Sequence, residues 1–251
     1  DLAVIRDRLG VLQKALPQAS IHFAMKANSH PEILTLFQKN SLGIDVVSGG
    51  EIKTALAAGF TPDKIIFSVV GITIDELKLA IQLKIKQINV ESPQELERIA
   101  SLSTPQNTVS VAFRMNPDVD ANTHPYITTG FRENKFGMDP SFIPELKKIL
   151  KNNPHVKLKG LTLHIGSQIM DSAPIESAIA KTIPIYNDFL CDGHSLETFD
   201  IGGGIGIDYE NIDLDAENKF IGQYGANISK LLGPLKCEIL CEPGRVLVAR
   251  A

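Results

Sequence analysis

The chain has little cysteine, no long apolar run and no block of like charge, and each shortage removes a class of protein. Cys191, Cys237 and Cys241 are an odd number without metal-site spacing, which argues against a disulfide framework or a cysteine-based metal site. Cys237 and Cys241 lie four apart on an expected strand, and we expect small, reduced, buried hydrophobes in a cytoplasmic protein. The apolar runs fall far short of the ~20 residues of a membrane span, and the start has no signal-peptide pattern. Net charge is −4, from 25 Lys and Arg against 29 Asp and Glu spread along the chain. That balance offers no basic footprint for nucleic acid and no polybasic membrane patch.

What is present fits one large core: 251 residues, 43% of them hydrophobic, close to the ~250 of a (β/α)8 barrel. β-rich runs alternate with helical patterns. Strands are expected at Ile21 to Met25, Ile44 to Val47, Lys64 to Val69, Gln87 to Val90, Val109 to Met115, Leu158 to Ile165, Thr198 to Ile201 and Glu238 to Cys241. They read as continuous apolar runs, as strands covered on both faces do. Pro31 to Lys39 and Gly49 to Ala58 read as helices. Thr73-Ile74-Asp75-Glu76 and Ser92-Pro93-Gln94-Glu95 open two more with capping signals. Eight strands with intervening helices predict a parallel (β/α)8 TIM-type barrel over residues 1–251. The chain opens within a helical pattern and stops in an apolar run, so both ends are expected to be truncated. Asn116 to Asp139 is a long polar connection after the fifth strand, which places it over the barrel mouth, where long loops are usually functional.

Chemistry-bearing residues gather at the carboxyl ends of the strands, where barrel active sites lie. Lys26 follows the first strand; Asp45 lies at the end of the second, Arg114 at the end of the fifth and His164 at the end of the sixth, with Ser167 just beyond it; Gly202-Gly203-Gly204 follow the seventh and Glu242-Pro243-Gly244-Arg245 the eighth. Lys26 is either a solvated loop lysine or an amine able to condense with a carbonyl. A glycine triplet is either a flexible turn or a phosphate cradle, and the loops after strands seven and eight are where barrels build such cradles. Its spacing is not that of a dinucleotide fingerprint. His164 can serve as a base, a ligand or a stacking platform, and no second ligand stands at metal spacing. Glu242, fixed in a Pro-Gly turn, can keep a ring nitrogen protonated. An amine, a phosphate cradle, a flat platform and a fixed carboxylate together describe a pyridoxal 5'-phosphate site.

The motifs Phe23-Ala24-Met25-Lys26-Ala27-Asn28, Gly43 to Glu51, Asn89-Val90-Glu91-Ser92, His164-Ile165-Gly166-Ser167-Gln168, Gly202-Gly203-Gly204 and Glu242-Pro243-Gly244-Arg245 follow one another as in a known family. The chain resembles the alanine-racemase-like, fold-type III pyridoxal-phosphate decarboxylases over nearly its whole length. The long loop, with Arg114 to Pro117, Thr123 to Gly130 and Asn134 to Gly137, resembles the diaminopimelate decarboxylases among them. The resemblance implies decarboxylation of meso-2,6-diaminopimelate to L-lysine and carbon dioxide. Lys26 would be the Schiff-base lysine, and His164 would stack on the ring as the second catalytic residue. Ser167, Gly202 to Gly204 and the Glu242 to Arg245 loop would bind phosphate and ring, with Asp45 and Arg114 beside them. Glu242 would pair with the ring nitrogen, and Arg245 would meet the substrate's distal carboxylate. It further implies a homodimer with shared active sites and a C-terminal β domain that these 251 residues lack. Val69 and Ile72 depart from the family's usual glycine and lysine, a difference at the mouth. Two other readings stay open: a relative acting on ornithine, arginine or carboxynorspermidine, and a non-catalytic cofactor-binding barrel.

Overall fold

The structure, a computed structural model, describes residues 1–119 and 136–251. Eight parallel strands close into a barrel in chain order: β1 (Ala19–Ala24), β2 (Gly43–Val46), β3 (Ile65–Phe67), β4 (Gln87–Val90), β5 (Val109–Arg114), β6 (Val156–Thr162), β7 (Thr198–Asp200) and β8 (Glu238–Cys241), with β8 pairing back to β1. The expected (β/α)8 architecture is therefore observed. Helices α2 (Pro31–Lys39), α3 (Gly49–Ala57), α4 (Ile74–Leu83), α5 (Pro93–Leu102), α6 (Ile143–Asn152), α7 (Ala173–Cys191) and α8 (Leu214–Leu232) follow β1 to β7. A short α9 (Arg245–Val248) follows β8, and α1 (Leu2–Ala15) precedes β1 and packs along α8 and α9.

The helix starts are set by local chemistry. The Ser48 and Ser92 hydroxyls each accept the backbone N–H of the glutamate three residues on, both at 3.1 Å. Glu51 and Glu95 reach back to accept the N–H of Val47 and Glu91, both at 2.8 Å. Thr73 and Glu76 form a full capping box, and Glu76 also accepts Gly49 N–H at 2.8 Å, tying α4 to α3. These bonds satisfy orphan donors that a helix start leaves open.

The strands are not apolar on both faces. Outward residues such as Phe23, Ile44, Val46, Phe67, Ile88, Val90, Phe113, Leu161 and Phe199 form the core with the helices. The alternate positions carry His22, Asp45, Gln87, Asn89, Thr162, Thr198 and Asp200, all buried. The register aligns them on one face: Ala24 opposite Asp45, Asn89 opposite Ala112, Thr162 opposite Asp200. The barrel interior is thus largely polar, where aliphatic layers are the usual filling. These residues escape an apolar-run reading because period-two alternation hides inside runs of only three to seven residues.

After β5 the chain returns to the barrel: Asn116 N–H donates to Met138 O at 2.9 Å and Met138 N–H to Arg114 O at 2.7 Å. The Thr123 to Gly130 motif, and Asn134 and Lys135, lie outside the described residues. Among those described, no helix is long and apolar enough to cross a membrane. Cys241 is buried as expected, Cys237 is half-buried one residue before β8, and Cys191 at the end of α7 is exposed.

Candidate active site

Lys26 sits in a 3-10 turn, Met25–Ala27, that breaks β1 as it reaches the mouth. Its side chain is 54% exposed and its Nζ lies 3.8 Å from Asp45 Oδ2, whose carboxyl is fully buried at the end of β2. Burial above all, and then the charge of Glu242, push the Asp45 carboxyl well above the usual carboxylate range, and Lys26 opposes them. The amine is thus open to solvent on one side and backed by the Asp45 carboxyl on the other.

His164 follows β6, and its Nδ1 accepts the backbone N–H of Gly203 at 3.3 Å. A nitrogen that accepts an N–H carries no proton of its own, so the ring's proton sits on Nε2. Loss of solvation, then the charges of Arg114 and Lys26, hold the imidazole well below its ordinary value. His164 is a neutral ring with one edge tied to the next loop.

The glycine run divides its work. Gly202 N–H donates to Asp200 Oδ1 at 2.8 Å, and Gly203 N–H goes to His164. A Cβ on Gly203 would stand 2.2 Å from Glu242 O, and one on Gly204, at φ +101°, 2.4 Å from Gly166 O. Only Gly204 reaches the cavity wall. The first two glycines let the loops after β6, β7 and β8 touch.

Glu242 is buried where β8 ends. Its Oε1 accepts from Ser68 Oγ at 3.3 Å and Asn89 Nδ2 at 3.4 Å. The buried Asp200 carboxyl lies close enough for its charge to act on Glu242. Burial, then Asp200, raise Glu242 well above the normal range, while Lys26 and Arg114 pull it down. Arg245 donates to Tyr209 Oη at 2.7 Å and Ser167 Oγ at 3.4 Å. Its buried Nε has no hydrogen-bond partner among the described residues.

These groups surround a cavity of about 440 Å³ at the carboxyl ends of the strands. Lys26, His164, Ser167, Gly204, Glu242, Gly244 and Arg245 line it. The other expected residues stand behind that wall. Asp45 backs Lys26. Arg114 pairs with Glu91 at 2.5 Å and covers the Phe136 ring at 5.5 Å. Pro243 O accepts Ala24 N–H at 3.1 Å. Ser68, Asn89, Asp200 and Tyr209 belong to the site and carried no role in the sequence reading. A signal existed for two of them: Asn89 is polar within a short apolar strand, and Asp200 directly precedes the glycines. At the Val69 to Ile72 departure, Ile72 is buried and Val70 exposed.

The model of the pyridoxal-dependent decarboxylase family's pyridoxal-binding domain matches residues 2–249. The chain belongs to this family. Among curated members, the Zymomonas mobilis diaminopimelate decarboxylase is 40% identical over 232 residues, covering 92% of this chain and 55% of that protein. The Aquifex aeolicus diaminopimelate decarboxylase is 36% identical over 248 residues, 98% of this chain and 58% of that protein. A crystal structure of the Helicobacter pylori diaminopimelate decarboxylase complexed with L-lysine superposes with a TM-score of 0.91 at 37% identity, covering 99% of this chain and 63% of that one. The chain thus spans a little over half the length of the curated decarboxylases it matches. Within the family fold, it is the pyridoxal-binding barrel that is seen here.

Proposed function

We propose that this chain is the cofactor-binding barrel of a pyridoxal 5'-phosphate-dependent diaminopimelate decarboxylase, which converts meso-2,6-diaminopimelate to L-lysine and carbon dioxide. The observation that carries the reading is the convergence of Lys26, Glu242 and the Arg245–Ser167 pair on one cavity. The donor set fits a phosphorylated pyridine carbonyl. Lys26 supplies an accessible amine. Arg245, whose buried Nε has no hydrogen-bond partner among the described residues, and Ser167 supply donors for an anion. Glu242 supplies an acceptor for a ring N–H.

Bound pyridoxal phosphate would supply an electron-withdrawing ring that takes up the electron pair left as carbon dioxide departs. The residues supply the rest. Lys26 would hold the carbonyl end, with the Asp45 carboxyl 3.8 Å from its amine. Glu242 holds a proton at the ring nitrogen. His164, neutral and tied by Gly203, is a platform beside the ring rather than a proton carrier. Gly204, Ser167 and Arg245 hold the phosphate end, and Arg245 also reaches toward a substrate carboxylate. The fixed glutamate at a ring nitrogen favours carbanion chemistry over simple cofactor storage.

The L-lysine held by the Helicobacter pylori relative supports lysine as product. A second copy covering the mouth is supported by Met170, Tyr209 and Ile212 in the loops after β6 and β7 and Leu214 at the start of α8, large apolar side chains left exposed. The paucity of cysteine agrees with a reducing, cytoplasmic setting. Two measurements test the reading. Lys26→Ala should remove the long-wavelength absorbance of bound cofactor, and an unchanged spectrum would refute the Lys26 role. The whole protein given meso-diaminopimelate, ornithine or arginine should release carbon dioxide from the first; release only from ornithine or arginine would refute the substrate.

A further inference from the structure

A chain of buried side chains crosses the barrel interior and ends on Glu242. Thr198 Oγ1 donates to Gln87 Oε1 at 3.0 Å. Gln87 Nε2 donates to Asn89 Oδ1 at 2.9 Å. Asn89 Nδ2 donates to Ser68 Oγ at 2.7 Å and to Glu242 Oε1 at 3.4 Å, and Ser68 Oγ donates to the same oxygen at 3.3 Å. Gln87 and Asn89 are essentially inaccessible to water. Burying two amides in a barrel is costly against the aliphatic filling such a barrel ordinarily has. Stability alone gives no reason for them.

The direction of the chain gives one. A carboxylate only accepts, so Asn89 must turn its NH2 toward Glu242. Its oxygen then faces Gln87, which must present its own NH2 there and its oxygen to Thr198. All three links point their donors the same way. Hydrogen bonds in series polarise one another, and in a low dielectric the last donor is strengthened. Burial and Asp200 both favour a protonated Glu242, and these donors act with the charges of Lys26 and Arg114 against them.

We propose that Gln87, Asn89 and Ser68 are positioning residues that keep Glu242 an anion aimed into the cavity, so that a pyridine nitrogen bound there retains its proton. The proposal deepens the reading of Glu242 given above and rests on it. Without the donors Glu242 becomes the stronger base and takes the proton from the ring.

The test uses the whole protein loaded with pyridoxal phosphate carrying 15N in the ring, whose chemical shift reports protonation of that nitrogen. The unaltered protein should read protonated. Asn89→Ala should move the shift toward the unprotonated value and weaken cofactor affinity by about tenfold, the scale of one hydrogen bond to a charged group. Gln87→Met, which leaves Asn89 in contact with Glu242, should move it the same way by less. It carries the test if Asn89→Ala does not fold, as judged by circular dichroism. Glu242→Gln separates the two claims. If it changes the shift while Gln87→Met and Asn89→Ala do not, the proposal fails and the role of Glu242 stands. If Glu242→Gln also leaves the shift unchanged, the role of Glu242 fails and the proposal with it.

Discussion

Two carboxyls pressed together in a barrel interior cost stability at any pH where both would ionise, and Asp200 carries part of that cost. Burial is the main cause that raises it to about 7, partly opposed by the Gly202 N–H. A carboxyl whose folded-state value lies above its unfolded one destabilises the fold progressively as pH rises between the two, and fully above the higher. Asp200→Asn keeps an acceptor for Gly202 and offers an N–H to Glu242. The cofactor-free variant should therefore be more stable than the parent above pH 7, by on the order of 1 kcal/mol. The advantage should vanish near pH 4. Urea denaturation at pH 8 and pH 4 checks this, and an equal change at both would assign the effect to packing. At this scale, Lys26, His164, Glu242 and Arg245 were legible in the sequence because each sits where a strand ends. Asp200 was not, since its importance is a carboxyl facing it from another strand.

The loops after β6, β7 and β8 work as one element. Gly203 presses on Glu242 O, Ile169 and Ile205 form a bridge, and Gln168 exchanges hydrogen bonds with Ile207 at 2.8 and 3.0 Å. Gly203→Ala would drive a Cβ into the Glu242 carbonyl and push the loops apart. We expect a loss of about 1–3 kcal/mol, the range for overpacking, with weaker cofactor binding because His164 loses its tether. Thermal unfolding with and without pyridoxal phosphate measures both, and an unchanged melting temperature would show that the loops are loosely joined. Helix starts were readable from Ser92-Pro93 and Thr73 to Glu76, because a cap is a contact within four residues. Strand ends were less so: Leu163 to Ile165 read as strand, yet β6 stops at Thr162 and the chain turns toward the site.

Beside the seam where β8 pairs with β1, α1 packs on α8 and α9, far from it in sequence. Glu217 on α8 joins them: it accepts from Arg250 Nε at 3.0 Å and faces Arg8 Nη2 at 3.7 Å. Arg8 also donates to Asn218 at 2.7 Å. All three charged side chains are largely withdrawn from solvent. Glu217→Leu would leave two arginines without their anion, a loss of about 3–5 kcal/mol. Denaturant unfolding should show it, and a change within ~0.5 kcal/mol would mean that the network is solvated in solution. By itself the sequence determined the alternation of strand and helix, the helix caps, the barrel and the end of it where the chemistry gathers, because periodicity and capping act over a few residues. Only the tertiary structure decided which polar side chains meet across the interior. Ser68 and Glu242 touch across 174 positions, and no local pattern encodes which strands a closed barrel sets face to face or which carboxyls are buried near one another there.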